Sequence, residues 1–155
     1  MVTARLFAFA SAVILAAACG SSGPATSFST TLAGANEVPP TTSTATGTAT
    51  FTLSGTTVNY TVTYSSLSGP PTASHMHVGA STVSGPVVVP FSGLPTTASG
   101  TFSGSFTQAD IKAQTSPVIN TLDDLLAQMR AGNTYANIHT TAHGGGEIRG
   151  QIADH

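Results

Sequence analysis

Four of the five histidines fall in or beside two short runs, and they are the side chains best suited to chemistry. Ser74-His75-Met76-His77-Val78 sets two imidazoles two residues apart, and Asn137-Ile138-His139 carries a third. In a strand, residues i and i+2 project from one face, roughly 7 Å apart along the chain. His75 and His77 therefore point the same way, with Met76 and Val78 turned to the core. By the same alternation Ala136 and Ile138 face inward, while Tyr135, Asn137 and His139 face out. If the two strands are neighbours, three imidazoles converge on the outer surface, and His143, on a Gly-rich run, is placed to fold back over them. Neutral imidazole suits copper and zinc, so His75, His77, His139 and His143 form a candidate metal set. Ligands of one ion would need nitrogens within about 4 Å of one another, given bonds of about 2.0–2.1 Å. The same residues also admit a structural use, with imidazoles bonded to loop backbone, or contact with a ligand or protein. Terminal His155 lies beyond the last apolar position and is expected to fray.

Composition narrows the remaining chemistry. Four Lys/Arg and six Asp/Glu give a net charge of −2, and charged residues make up 6 % of the chain, against roughly 25 % in an ordinary soluble domain. Four cations cannot supply the basic footprint that nucleic acid requires. A single cysteine excludes a disulfide framework and a Cys-based zinc site. Hydrolytic catalysis is poorly provided for, since no Gly-x-Ser-x-Gly elbow occurs and the carboxylates are scattered. Three charges do fall in recognisable clusters. Glu147, Arg149 and Gln151 share one face of the final strand, and Glu37 precedes Val38-Pro39-Pro40. The expectation is a structural Glu37–Arg149 ion pair that fixes this loop, because an Arg fork holds a carboxylate and loop carbonyls together. The alternative use of Arg149 is to attract an anion beside the histidines. Gly144-Gly145-Gly146 lacks the strand-and-helix context of a phosphate loop.

The elements that must position these residues read as β-strands. Ala49, Phe51 and Leu53 alternate with threonines, and after Ser54-Gly55-Thr56 so do Val58, Tyr60, Val62 and Tyr64, which predicts a hairpin. Further strands are expected over 28–33, 73–78, 86–91, 100–107, 134–140 and 147–152. About eight short strands bounded by Gly, Pro and Ser predict an all-β fold, a Greek-key-like sandwich or flattened barrel. Between Val118 and Ala131 the apolar spacing turns helical, with Thr121 and Asp124 as a capping pair and Gly132 as the stop. This short helix is expected to cover an open end or edge. Asp123 and Asp124 then sit in its first turn, where the helix dipole accounts for them.

Residues 1–18 read as an address. Arg5 precedes an apolar run from Leu6 to Ala18, the length of a signal-peptide core and too short for a comfortable span. Small residues before Cys19 resemble a bacterial lipobox, although Ala16 stands where Leu is usual. Lipidation of Cys19, a flexible tether over 19–27 and a domain over 28–153 follow, with the chain held at a membrane outside the cytoplasm by its lipid anchor, or secreted.

Three clusters in order, Glu37-Val38-Pro39-Pro40, Ser74-His75-Met76-His77-Val78-Gly79, and Asn137-Ile138-His139-Thr140 running to Gly146-Glu147-Ile148-Arg149-Gly150-Gln151, resemble the chordin (CHRD) domain family. The middle cluster departs from the family's usual Ala-His-Ile-His-Gly at Ser74, Met76 and Val78, and Gly144 departs from the usual late proline. The resemblance implies a secreted β-sandwich and no settled activity. It favours a non-enzymatic binding or envelope module with an unidentified partner. The alternative is a copper or zinc protein, with a superoxide-dismutase-like His-x-His site on the outside of the sandwich by analogy of motif alone.

Overall fold

The computed structural model describes residues 24–155, so residues 1–18, expected to be a signal peptide, and Cys19 lie outside the described residues. In chain order the elements are β1 (Ser27–Ala33), β2 (Thr46–Ser54), β3 (Thr57–Ser65), β4 (Pro71–Val78), β5 (Val87–Pro90), β6 (Gly100–Phe106), β7 (Gln114–Thr115), β8 (Val118–Ile119), α1 (Leu122–Arg130), β9 (Thr134–Thr140), β10 (Ile148–Gln151) and β11 (Ala153–Asp154). Nine strands form one antiparallel sheet, eight of them in the order β5-β4-β9-β10-β1-β2-β3-β6, which curls into a nearly closed barrel; the short β11 pairs with β1 beside β10. The fold is the expected all-β one.

Alternation drives the closure. Along β2 and β3, Ala49, Phe51, Val58, Tyr60, Val62 and Tyr64 are buried while the threonines between them are exposed. Each such apolar side chain contributes on the order of 1.5–3 kcal/mol when removed from water. Only curling hides all the inward rows of a sheet this wide. Phe91, just past β5, packs on Tyr60 of β3 with ring centroids 4.5 Å apart and on Phe51 of β2 at 6.0 Å. That contact joins strands far apart in the sheet order. The β2–β3 hairpin turns through two residues, with Gly55 at φ +61°, a conformation that glycine adopts without strain.

The helix is shorter than its apolar spacing predicts. Val118 and Ile119 pair with Thr115 and Gln114 as a two-residue ladder, and α1 begins only at Leu122. The reciprocal Thr121–Asp124 cap fixes this start: Asp124 N–H donates to Thr121 Oγ1 at 3.1 Å, and Thr121 N–H donates to Asp124 Oδ2 at 3.0 Å. Leu122, Leu125, Leu126 and Met129 bury in the core cluster. Among the described residues, no helix is long and apolar enough to cross a membrane.

Candidate metal centre

Strands β4 and β9, 64 residues apart in the chain at His75 and His139, are direct neighbours. Their register sets Ala73 opposite His139, His75 opposite Asn137 and His77 opposite Tyr135. Met76, Val78, Ala136 and Ile138 are buried in the core, so the histidines lie on the outer side as their alternation requires. His139 is the diagonal neighbour of His75, a separation that long side chains span. The ring centroids lie 5.0 Å apart for His75 and His139, 5.5 Å for His75 and His77, and 6.4 Å for His77 and His139. One nitrogen from each ring falls within 4.8 Å of the others. The His75–His139 pair, at 3.2 Å, meets the distance expected for a shared ion, and the full set is slightly wider.

Backbone carbonyls decide which nitrogens are free. A carbonyl only accepts, so His77 Nδ1–H donates to Gly85 O at 2.9 Å and His139 Nδ1–H donates to Gly144 O at 3.0 Å. Both rings thereby keep an Nε2 lone pair. That of His139 accepts from His75 Nδ1–H, while that of His77, beside the Asn137 side chain, is buried and makes no hydrogen bond of good geometry among the described residues. Asn137 Oδ1, on the same outer face, is a second buried acceptor without a partner. Orphaned acceptors in one patch are costly unless a donor or cation meets them. An ion bound to His75 Nδ1 would displace its proton to Nε2, a tautomer change whose only cost in hydrogen bonds is the one to His139.

The three rings are neutral near pH 7. Burial pushes His75 down to about 4, helped by His139, His77 and the Lys112 ammonium. Burial also lowers His77 and His139, against the opposing pull of the Gly85 carbonyl and the Asn137 side chain on His77 and of the Gly144 carbonyl on His139. Depressed basicity leaves lone pairs available for a metal, and a ring N–H fixed on a carbonyl is the usual outer support of a metal-ligating histidine.

Three supporting residues carry no chemical signal of their own in the sequence. Tyr135 stacks on His77 with centroids 4.7 Å apart and planes 8° from parallel. Its hydroxyl accepts from Gly85 N–H at 3.0 Å, so one residue holds both the His77 ring and the peptide segment that orients it. Gly85 itself tolerates no Cβ, which would fall on the Val78 carbonyl. Asn137 is the third. The period-2 pattern puts Tyr135 and Asn137 on the histidine face, but only the β4–β9 register reveals what they touch.

Two expected placements are corrected. His143 is not part of the close three-histidine group. Its backbone is bound into the turn, donating to Thr140 O at 3.1 Å and accepting from Gly146 N–H at 3.0 Å. The Gly-rich run does fold back over the cluster, but it presents the Gly144 carbonyl rather than the His143 ring. Nor do Glu37 and Arg149 form a contact ion pair. Arg149 donates to Val83 O at 3.0 Å, Ala80 O at 2.9 Å and Gln151 Oε1 at 3.5 Å, and its guanidinium carbon lies 3.4 Å from the Tyr135 ring centroid. The loop after β1 is held instead by Asn36 Nδ2–H on Arg149 O and Thr41 Oγ1–H on Glu147 O. Glu37 is left buried against Gly146 with Oε1 unpartnered, and burial pushes its carboxyl up to about 7 against the pull of Arg149 and the Val38 amide.

Glu147 has a structural explanation. It accepts from Ser43 Oγ at 2.7 Å, Ser68 N at 2.8 Å, Ser68 Oγ at 2.5 Å and Thr140 Oγ1 at 2.6 Å. Burial alone would raise its carboxyl, but these hydrogen bonds outweigh burial and hold it below the usual carboxylate range.

The late cluster, the His-x-His strand and the Glu37 loop thus converge on adjoining strands β4, β9, β10 and β1. The CHRD domain profile matches residues 28–152, the whole barrel. The chain belongs to the CHRD domain family. Neither a curated protein nor a solved structure matches it. Membership accounts for the order of the three clusters, and the CHRD fold explains why residues so distant in sequence meet. It assigns no ligand to the histidines, so any ligand has to be inferred from their geometry.

Proposed function

We propose that this CHRD domain is a non-enzymatic, extracytoplasmic binding module, lipid-anchored through Cys19, whose ligand is a single copper or zinc ion held by His75, His77 and His139. The observation that carries the reading is the His77 Nε2 lone pair, buried and unpartnered beside two other imidazoles. The His77–Gly85 and His139–Gly144 bonds favour a structural reading to the extent that they tie loops to strands, yet each uses only Nδ1. Extracytoplasmic placement rests on the apolar leader and the small residues before Cys19.

The test uses the full chain with Cys19→Ser, so that the thiol cannot compete for metal. Titration with Cu(II) or Zn(II) should give about one ion per chain and a higher melting temperature, both lost in the His75→Ala/His77→Ala double variant. Unchanged uptake in that variant refutes the site. Should the double variant unfold without metal, His139→Asn supplies the same comparison from a half-buried position, and an unfolded metal-free double variant counts for the structural reading.

A further inference from the structure

A copper or zinc ion on His75, His77 and His139, the proposal on which this inference rests, would be short of compensating charge. Neutral imidazoles bring none, so a divalent ion bound by three of them keeps its full charge in a partly buried place. The charged side chains that act on the rings are Lys112 on His75 and Arg149 on His77, both cationic. No carboxylate among the described residues is one of them. Of the two acids next to β1 and β10, Glu147 is saturated by Ser43, Ser68 and Thr140, and Glu37 lies against Gly146 with Oε1 unpartnered and is not among the charges acting on the rings. Asn137 Oδ1, the other buried acceptor on this face that makes no hydrogen bond among the described residues, is uncharged.

Access is available from one side. His77 is buried under Tyr135, but His75 and His139 are only half-buried. Lys112 stands at the β5 flank of that opening: its amide donates to Val88 O at 2.8 Å, while Pro90 and Val89 of the same strand pair with His75 and Met76. Its side chain is exposed. Three protein ligands also leave a tetrahedral ion one position open.

We propose that this open position takes a small monoanion from solution, and that Lys112 is the positioning cation that favours its entry. The anion would neutralise part of the ion's charge where the protein provides no acid to do so. Lys112 would act through space on the anion, without binding the metal.

The probe is azide, added to the Cu(II)-loaded full chain with Cys19→Ser at constant ionic strength, and read as a ligand-to-metal charge-transfer band. A saturable band is expected. Lys112→Ala should weaken azide binding by about two- to fivefold, the range for an exposed charge pair, with copper affinity unchanged or slightly higher. Lys112→Arg should restore it, and Lys112→Glu should weaken it further. A chain that binds one copper but shows no azide band at any concentration refutes the open position and leaves the metal site standing. Equal azide affinity in Lys112→Ala and Lys112→Glu refutes the role of Lys112. A chain that takes up no copper refutes the metal reading itself, and the anion site with it.

Discussion

Replacing Glu37 with Gln reverses sign depending on whether its carboxylate is paired with Arg149. In a contact ion pair, removing one partner leaves the other charge buried and destabilises the fold. Here the guanidinium is already occupied by Val83, Ala80 and Gln151, and Glu37 Oε1 has no partner. Burial is the largest influence on this carboxyl and raises it from 4.5 to about 7. The folded protein therefore binds more protons than the unfolded chain between those values. The stability Glu37 contributes is full below 4.5 and is lost as pH rises through 7. That rise corresponds to roughly 3 kcal/mol at about 1.36 kcal/mol per pH unit. Glu37 and Arg149 line an open cavity of 1090 Å³, and solvent reaching them reduces the cost to about 1–2 kcal/mol. Glu37→Gln keeps the shape and removes the ionisation, so urea unfolding at about pH 5 and pH 8.5 separates the two cases. The variant should gain about 1–2 kcal/mol relative to the native chain on going from the lower to the higher pH. Comparing two pH values cancels any contact that the amide changes. A variant that instead loses stability at the higher pH, or follows the native pH dependence, refutes the unpaired reading and restores the ion pair.

Two further outcomes rest on the same hydrogen bonds and burial. Glu147→Gln replaces a carboxylate that accepts from three hydroxyls and the Ser68 N–H, and should cost about 1–3 kcal/mol in denaturant unfolding; no measurable loss would show that the hydroxyls turn to accept from the amide. In chelator, the metal-free domain should lose stability relative to a His75→Gln/His139→Gln variant as pH falls below 6.5 toward 4, because the unfolded chain protonates its imidazoles before folded His75 does, while the opposite contribution of Glu37 is common to both chains. Thermal melts across that range check this, and a His75→Gln/His139→Gln variant with the same acid profile would refute it.

What the sequence made legible was whatever a local period controls. Strict alternation in 49–64 predicts the hairpin, and the same period correctly separates Met76 and Ile138, inside, from His75, His77 and His139, outside. The Thr121–Asp124 cap is equally local, since both bonds lie within one turn. The site needed more than a period, because its ligand atoms come from strands that only the sheet order makes adjacent. No spacing rule reveals that His139 sits diagonally from His75, or that Tyr135 backs His77. Errors arise where a backbone group does the work that sequence reasoning assigns to a side chain. Gly144 O, not the His143 ring, closes over the cluster. Val83 O and Ala80 O, not Glu37, take the Arg149 fork. Backbone carbonyls have no signature in composition, yet in a chain so poor in charge they are the acceptors most available to a buried cation. The scarcity of acids that makes Glu37 and Arg149 look like a pair is therefore what lets Arg149 be satisfied by loop carbonyls. It also leaves the imidazole cluster with no carboxylate of its own among the described residues.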